Sequence, residues 1–177
     1  MNEIHPVTEL MNDHRLIEKV MAELERRLAL DPAAVPAAFV AQALAFFTGF
    51  ADASHHFKEE EALFPALAAR GVPVEGGPIG MMLHEHGVGR KLLAGMRAEL
   101  EAAGAGDGKA CAALRDYAAR YIELLRNHIW KEDNVLFRMA QQLLDEEAAA
   151  ALRARFRESA QATAEATQGH ADFAAAL

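Results

Sequence analysis

The sequence has a single cysteine, Cys111, among 177 residues, so no disulfide can staple the fold and no CxxC pair can hold a metal or run redox chemistry. The thiol reads as a small buried residue, which suits a reducing compartment. Basic residues are few, 18 Lys and Arg against 26 Asp and Glu for a net charge of -8, and they are scattered. That leaves no electrostatic footprint for DNA or RNA. The first residues, MNEIHPVTELMNDH, lack the basic end and apolar run of a secretory signal. No stretch reads as the roughly 20 apolar residues that span a bilayer, so no membrane partner is expected and the chain is placed in the cytoplasm. Period-two alternation is missing, which excludes strands, and neither a phosphate-cradling loop nor a nucleophilic triad order is present.

What remains is helical periodicity in a chain long enough for one domain, residues 1–177, with 52% hydrophobic residues. Apolar residues recur at helical spacing from about Val7 to Leu30, with Thr8 as the expected N-cap and Asp31-Pro32 as the stop. A second helix starts near Pro36 and ends at Arg70-Gly71, and Pro65 is expected to kink or break it. RGVPVEGGPIG is the central connection. Helix three covers about Ile79 to Ala103 and is closed by GAGDG; helix four covers about Lys109 to Leu144. An Ala-rich helical segment, 145–168, and a frayed tail follow. The expected architecture is all-α: an up-and-down four-helix bundle over about 8–144 with an extra C-terminal helix.

Chemistry enters through an internal repeat. HHFKEEEALF from His55 matches HIWKEDNVLF from His128 at an offset of 73, and the acid-His pair ending NDH at His14 matches the one ending HEH at His86 at an offset of 72. Each helical hairpin therefore supplies one histidine from its first helix and one HxxxE pair from its second. Residues four apart share a helix face, so His55 with Glu59, and His128 with Glu132, can reach one ion or a close pair. Together with His14 and His86 they make four imidazoles and two carboxylates. Those are ligands of iron, manganese and zinc, and too many for one closed tetrahedral site, so the count favours two metals. If both glutamates bridge, one position per metal stays open. A single HxxxE is what any Glu-rich helix surface can show; the duplicated, ordered set is much harder to produce that way.

The register of the second helix has a competitor. Phe46, Phe50, Phe57, Phe64 and Leu67 lie on a face closer to His56 and Glu60, and these two are the alternate pair. The repeat favours His55 and Glu59, which leaves the phenylalanines for packing between helices or for a homodimer contact.

The ordered set His14, His55 to Glu59, Glu85-His86 with Arg90, and His128 to Glu132 resembles the hemerythrin-like (HHE cation-binding) family over about residues 8–144, and EEEALFP and KEDNVLF look like its sequences following the ligands. The resemblance implies a non-haem di-iron centre, oxo- or hydroxo-bridged, with His14, His55, His86 and His128 as terminal ligands and Glu59 and Glu132 as bridges. Zinc and manganese are the other candidate metals. Two departures stand out. Oxygen-carrying members have a further histidine where this chain has Met82, with His84 two residues off, and they end in HxxxxD. With four histidines both metals would be open, so the chain looks more like the four-His, two-Glu members, whose proposed roles cover oxygen, nitric oxide or peroxide chemistry, iron handling and sensing. Around the centre, Glu85 with Arg90 as its partner and Tyr121 are the supporting candidates. The expected function is binding of, or reaction with, a small diatomic ligand or peroxide, with turnover left open. The alternatives are an iron-binding or iron-sensing module and a metal-free helical interaction protein.

Overall fold

A computed structural model describes residues 4–31 and 34–177, with side chains for all of these except 159–166. Pro32, half of the expected first stop, lies outside the described residues. Helix α1 is Pro6–Leu30; α2 runs without interruption over Ala37–Ala68; α3 is Pro78–Gly104. Helix α4 joins Gly108–Lys131, Glu132–Leu136 and Phe137–Leu143, and α5 is Glu146–Ala175. No strand occurs among the described residues. The first four helices pack α1 beside α2 and α4, and α3 beside α2 and α4, which is the expected helical bundle.

Capping sets the helix ends. His5 rather than Thr8 caps α1, accepting from the Val7 N–H through Nδ1, with Pro6 in the first turn where its missing N–H costs nothing. Gly71 and Gly106, at φ 89° and 88°, end α2 and α3 with paired backbone bonds, Val72 to Leu67 with Gly71 to Ala68, and Asp107 to Ala102 with Gly106 to Ala103. Asp107 then caps α4.

Helix α2 departs from the expectation at Pro65. The helix continues, because Glu59–Leu63 is a π-turn in which the Phe64 N–H bonds back to the Glu59 carbonyl, and Pro65 enters at the first turn of the α segment that follows. Two further π segments occur, Phe47–His56 in α2 and Glu132–Leu136 in α4. The turns at 59–63 and 132–136 stand 73 residues apart, so the sequence repeat is also a repeat of backbone. The stretch at 47–56 has no such counterpart, its equivalent in α4 being ordinary α-helix.

Helix α2 is also long and apolar enough, by length and composition, to cross a membrane, contrary to the expectation of no such stretch; half of the relevant window is buried inside the bundle. The tail is not frayed. Phe173 packs on Phe39 and Phe46, Ala174 is fully buried, and His170 meets Phe46 edge-on. The close approach needs Gly49, where a Cβ would stand 2.3 Å from His170 Nε2.

The core is in two parts. One apolar cluster takes Ile17 to Leu28 of α1, Phe39 to Ala51 of α2, Leu92 to Ala103 of α3 and Ala110 to Ile129 of α4. The other takes Val7 and Leu10, Ala62 to Leu67, Ile79 and Met82, and Leu136 to Ala140, with Leu152 and Phe156 of α5. Between them each bundle helix presents polar residues: His14, then His55 to Glu59, His86, and His128 to Glu132. The fold thus holds a polar layer between two apolar plugs.

Candidate metal centre

Glu59, Glu132 and His14 are 0% exposed, and His55, His86 and His128 at most 2%. The imidazole Nε2 atoms of His14 and His55 and all four oxygens of Glu59 and Glu132 are buried without a hydrogen-bond partner. Leaving such atoms unpaired costs several kcal/mol. Their arrangement is bridging. Glu132 Oε2 lies 3.2 Å from Nε2 of both His14 and His128, while Glu59 places Oε1 3.5 Å from His55 Nε2 and Oε2 3.5 Å from His86 Nε2.

Outward from this ring, each imidazole gives its Nδ1–H to a carboxylate: His14 to Asp133 at 2.7 Å, His55 to Asp13 at 3.4 Å, His86 to Glu60 at 2.7 Å and His128 to Glu85 at 3.0 Å. A donated Nδ1–H fixes the tautomer in which Nε2 carries the lone pair, the usual way a protein orients a metal-binding imidazole. Each carboxylate also has a cation: Arg15 on Asp133, Lys58 on Asp13, Arg90 on Glu60 and Lys131 on Glu85. The repeat organises this layer. Asp13 with His55 and Lys58 corresponds to Glu85 with His128 and Lys131, and Glu60 corresponds to Asp133.

The alternate pair divides. Glu60 is outside the ring, on His86 Nδ1, whereas His56 is at the ring beside His55. Its imidazole stacks on His86 with centroids 3.8 Å apart, and its Nδ1 donates to Asp52 at 3.2 Å. Beside the four expected histidines, His56 therefore also stands at the centre. His55 and His56, the last residues of the π-helical stretch 47–56, are both buried and face inward. Glu85 does not pair with Arg90 as expected; Arg90 bridges Asp52 and Glu60, and Glu85 faces His128 and Lys131. His84 is exposed and away from the ring. Tyr121 packs edge-on to Phe47, and with Gly89, Leu93 and Leu125 it lines a small cleft that reaches His56, His86 and His128. Phe137 stacks on His14 from the other side, at 5.3 Å.

The charges follow from burial and neighbours. Burial lowers His55 to about 4 and His56 well below its ordinary value, so both are neutral. For His128 burial acts the same way, but Glu132 and Glu85 outweigh it and hold it at about 9. Burial, reinforced by the Glu132 charge, raises Glu59 well above the carboxylate range. Asp52 goes the other way, to about 2, because His56 and Arg90 outweigh its burial.

Two overlapping sets have ligand atoms all within 4.8 Å of one another: His14, His55, Glu59 and Glu132, and His56, Glu59, His86 and His128. Imidazole with carboxylate suits iron, manganese or zinc, and the donors exceed one tetrahedral site. The unpartnered atoms are those a cation would take up, so the residues fit a metal. A helical bundle with a buried His and Glu ring across its middle defines a cation-binding bundle. Residues 5–140 match the family described as hemerythrin HHE cation binding domain, and the chain belongs to that family. Comparison with curated proteins and with solved structures gives no match.

Proposed function

We infer that the chain holds two iron ions between His14, His55, Glu59, His86, His128 and Glu132, with the two glutamates shared, and that it binds or reacts with a small ligand such as oxygen, nitric oxide or peroxide in the cytoplasm. The observation that carries this reading is the buried ring in which Nε2 of His14 and His55 and the four oxygens of Glu59 and Glu132 have no hydrogen-bond partner, Nε2 of His86 and His128 have only each other at 3.1 Å, and each of these imidazoles is backed on its far side by a carboxylate. Iron there would supply redox chemistry and a position for a small ligand. The residues of this chain do the rest. Asp133, Asp13, Glu60 and Glu85 hold the imidazoles in register, and the apolar clusters on both sides keep bulk water and large substrates out.

The test is the optical spectrum of the iron-loaded chain with and without azide, nitric oxide or peroxide. Near-ultraviolet absorption that shifts with these ligands supports the reading. A spectrum indifferent to all three, on a chain that holds iron, favours the second reading, an iron-sensing module. That alternative has its own observation: the donors come from all four bundle helices, so metal occupancy ties the bundle together and couples to its stability. A metal-free interaction protein would melt at the same temperature with or without chelator.

A further inference from the structure

We propose that the chain pairs with a second copy of itself through the face of α3 and α4 around Lys131, the Trp130 ring of each copy entering the apolar cleft of the other. This surface lies outside the polar layer, and the proposal stands with or without a metal there.

The face emerges when the two hairpins are laid over each other. At an offset of 72, Glu9 and Leu10 of α1 correspond to Met81 and Met82 of α3. At 73, Phe57, Lys58, Glu61 and Ala62 of α2 correspond to Trp130, Lys131, Asn134 and Val135 of α4. In the first hairpin this surface is covered by α5. Leu152 and Phe156 are buried in one cluster with Leu10 and Ala62, and Lys58 Nζ is 5.7 Å from the centre of the Phe156 ring. In the second hairpin none of the described residues takes that place. Met81, Met82, Lys131, Val135 and Leu136 instead line an open cleft of about 340 Å³, and Val74, Met81, Val135 and Trp130 are 43% to 62% exposed. The repeat thus marks a packing face left bare.

Charge and shape say what covers it. Met81 stands where the first hairpin has Glu9, the partner of Lys58, and Asn134 where it has Glu61. Lys131 is matched by Glu85. On a chain of net charge -8, this neutral apolar face is where another copy can approach without like-charge repulsion. A two-fold contact also requires each surface to carry both halves of the fit. Here Trp130 is the projection and the cleft beside it the recess, so Trp130 of one copy takes over Lys131 of the other the place that Phe156 holds over Lys58. The phenylalanines of α2 expected at such a contact are not free for it: Phe46, Phe50 and Phe64 are buried in the core, and Phe57 lines the groove beside α5.

The experiment is sedimentation equilibrium of the full chain as purified, over a range of concentrations, with the emission of Trp130, its only tryptophan, recorded on the same samples. The proposal predicts the mass of two chains and an emission that moves to the blue as the dimer forms. Met81→Glu, which puts back the acid of the first hairpin at an exposed position, should raise the dissociation constant about tenfold or more and return the emission to the red, with the helical circular dichroism unchanged. Trp130→Ala should weaken the dimer in the same way, and Phe57→Ala should leave it as it was. A chain that is monomeric at every concentration, with Trp130 in water, overturns the proposal and leaves the face to a different partner. A dimer that keeps its affinity in both Met81→Glu and Trp130→Ala places the contact elsewhere and overturns it too.

Discussion

Removing one outer carboxylate should weaken metal binding without dismantling the bundle, and Asp133→Ala is the cleanest case. Asp133 accepts from His14 Nδ1 at 2.7 Å and from Arg15, its side chain is 13% exposed, and it touches no atom of the ring itself. A hydrogen bond with a charged partner contributes about 1.5–3 kcal/mol net. Since His14 is fully buried, water cannot replace the lost acceptor. At about 1.4 kcal/mol per factor of ten this is roughly a tenfold to hundredfold loss of affinity for the metal, the range known for outer partners of metal-bound histidines. The assay is competition with a fluorescent chelator, run beside Glu25→Ala, which breaks only the exposed pair with Arg126 and should change affinity by less than about twofold. Urea unfolding of the chelator-treated variant separates affinity from folding. Equal affinities for Asp133→Ala and Glu25→Ala would refute the orienting role of the outer carboxylates.

Phe137→Ala empties a fully buried site that stacks on His14, and urea unfolding should show a loss of about 3–5 kcal/mol. Loading the chelator-treated chain with metal at pH 7 should release at least one proton, because His128, held near 9, must give up its own to bind, and the raised His14 and Glu59 add to the release; His55, at about 4, has none to give. Titration calorimetry in buffers of different ionisation enthalpy reads the number, and no release would contradict the charge assignments. Gly71→Ala forces a β-carbon into φ 89° at the end of α2 and should cost about 1–2 kcal/mol in urea unfolding without changing metal affinity.

Much of this protein is legible in its sequence because its helices are amphipathic and its halves repeat. The bundle, the loops at Gly71 and Gly106, and the meeting of His14, His55, Glu59, His86, His128 and Glu132 follow from periodicity and from the 73-residue offset. His55 and His56, posed as alternatives in the sequence, both face inward at the end of a π stretch that a wheel drawn at 100° per residue does not show. Pro65 is misread for the same reason. The outer carboxylates were half visible: Asp13 and Glu85 precede histidines at matched positions, but each serves the histidine of the neighbouring helix, a crossing that only packing reveals. Asp52 carries no signal until Leu125, its counterpart in the second half, is set beside it. The C-terminal residues read as frayed because Ala-rich segments carry little pattern, and their docking depends on the space left at Gly49.

The central claim is that the polar layer between the two apolar clusters is a two-metal centre, and metal content per chain tests it most directly. Protein produced with added iron, and the variants His55→Ala and Glu59→Ala beside it, would be measured by elemental analysis. The account predicts close to two irons per chain, falling in both variants. A chain without stoichiometric metal, or with its full complement retained after loss of Glu59, would contradict it.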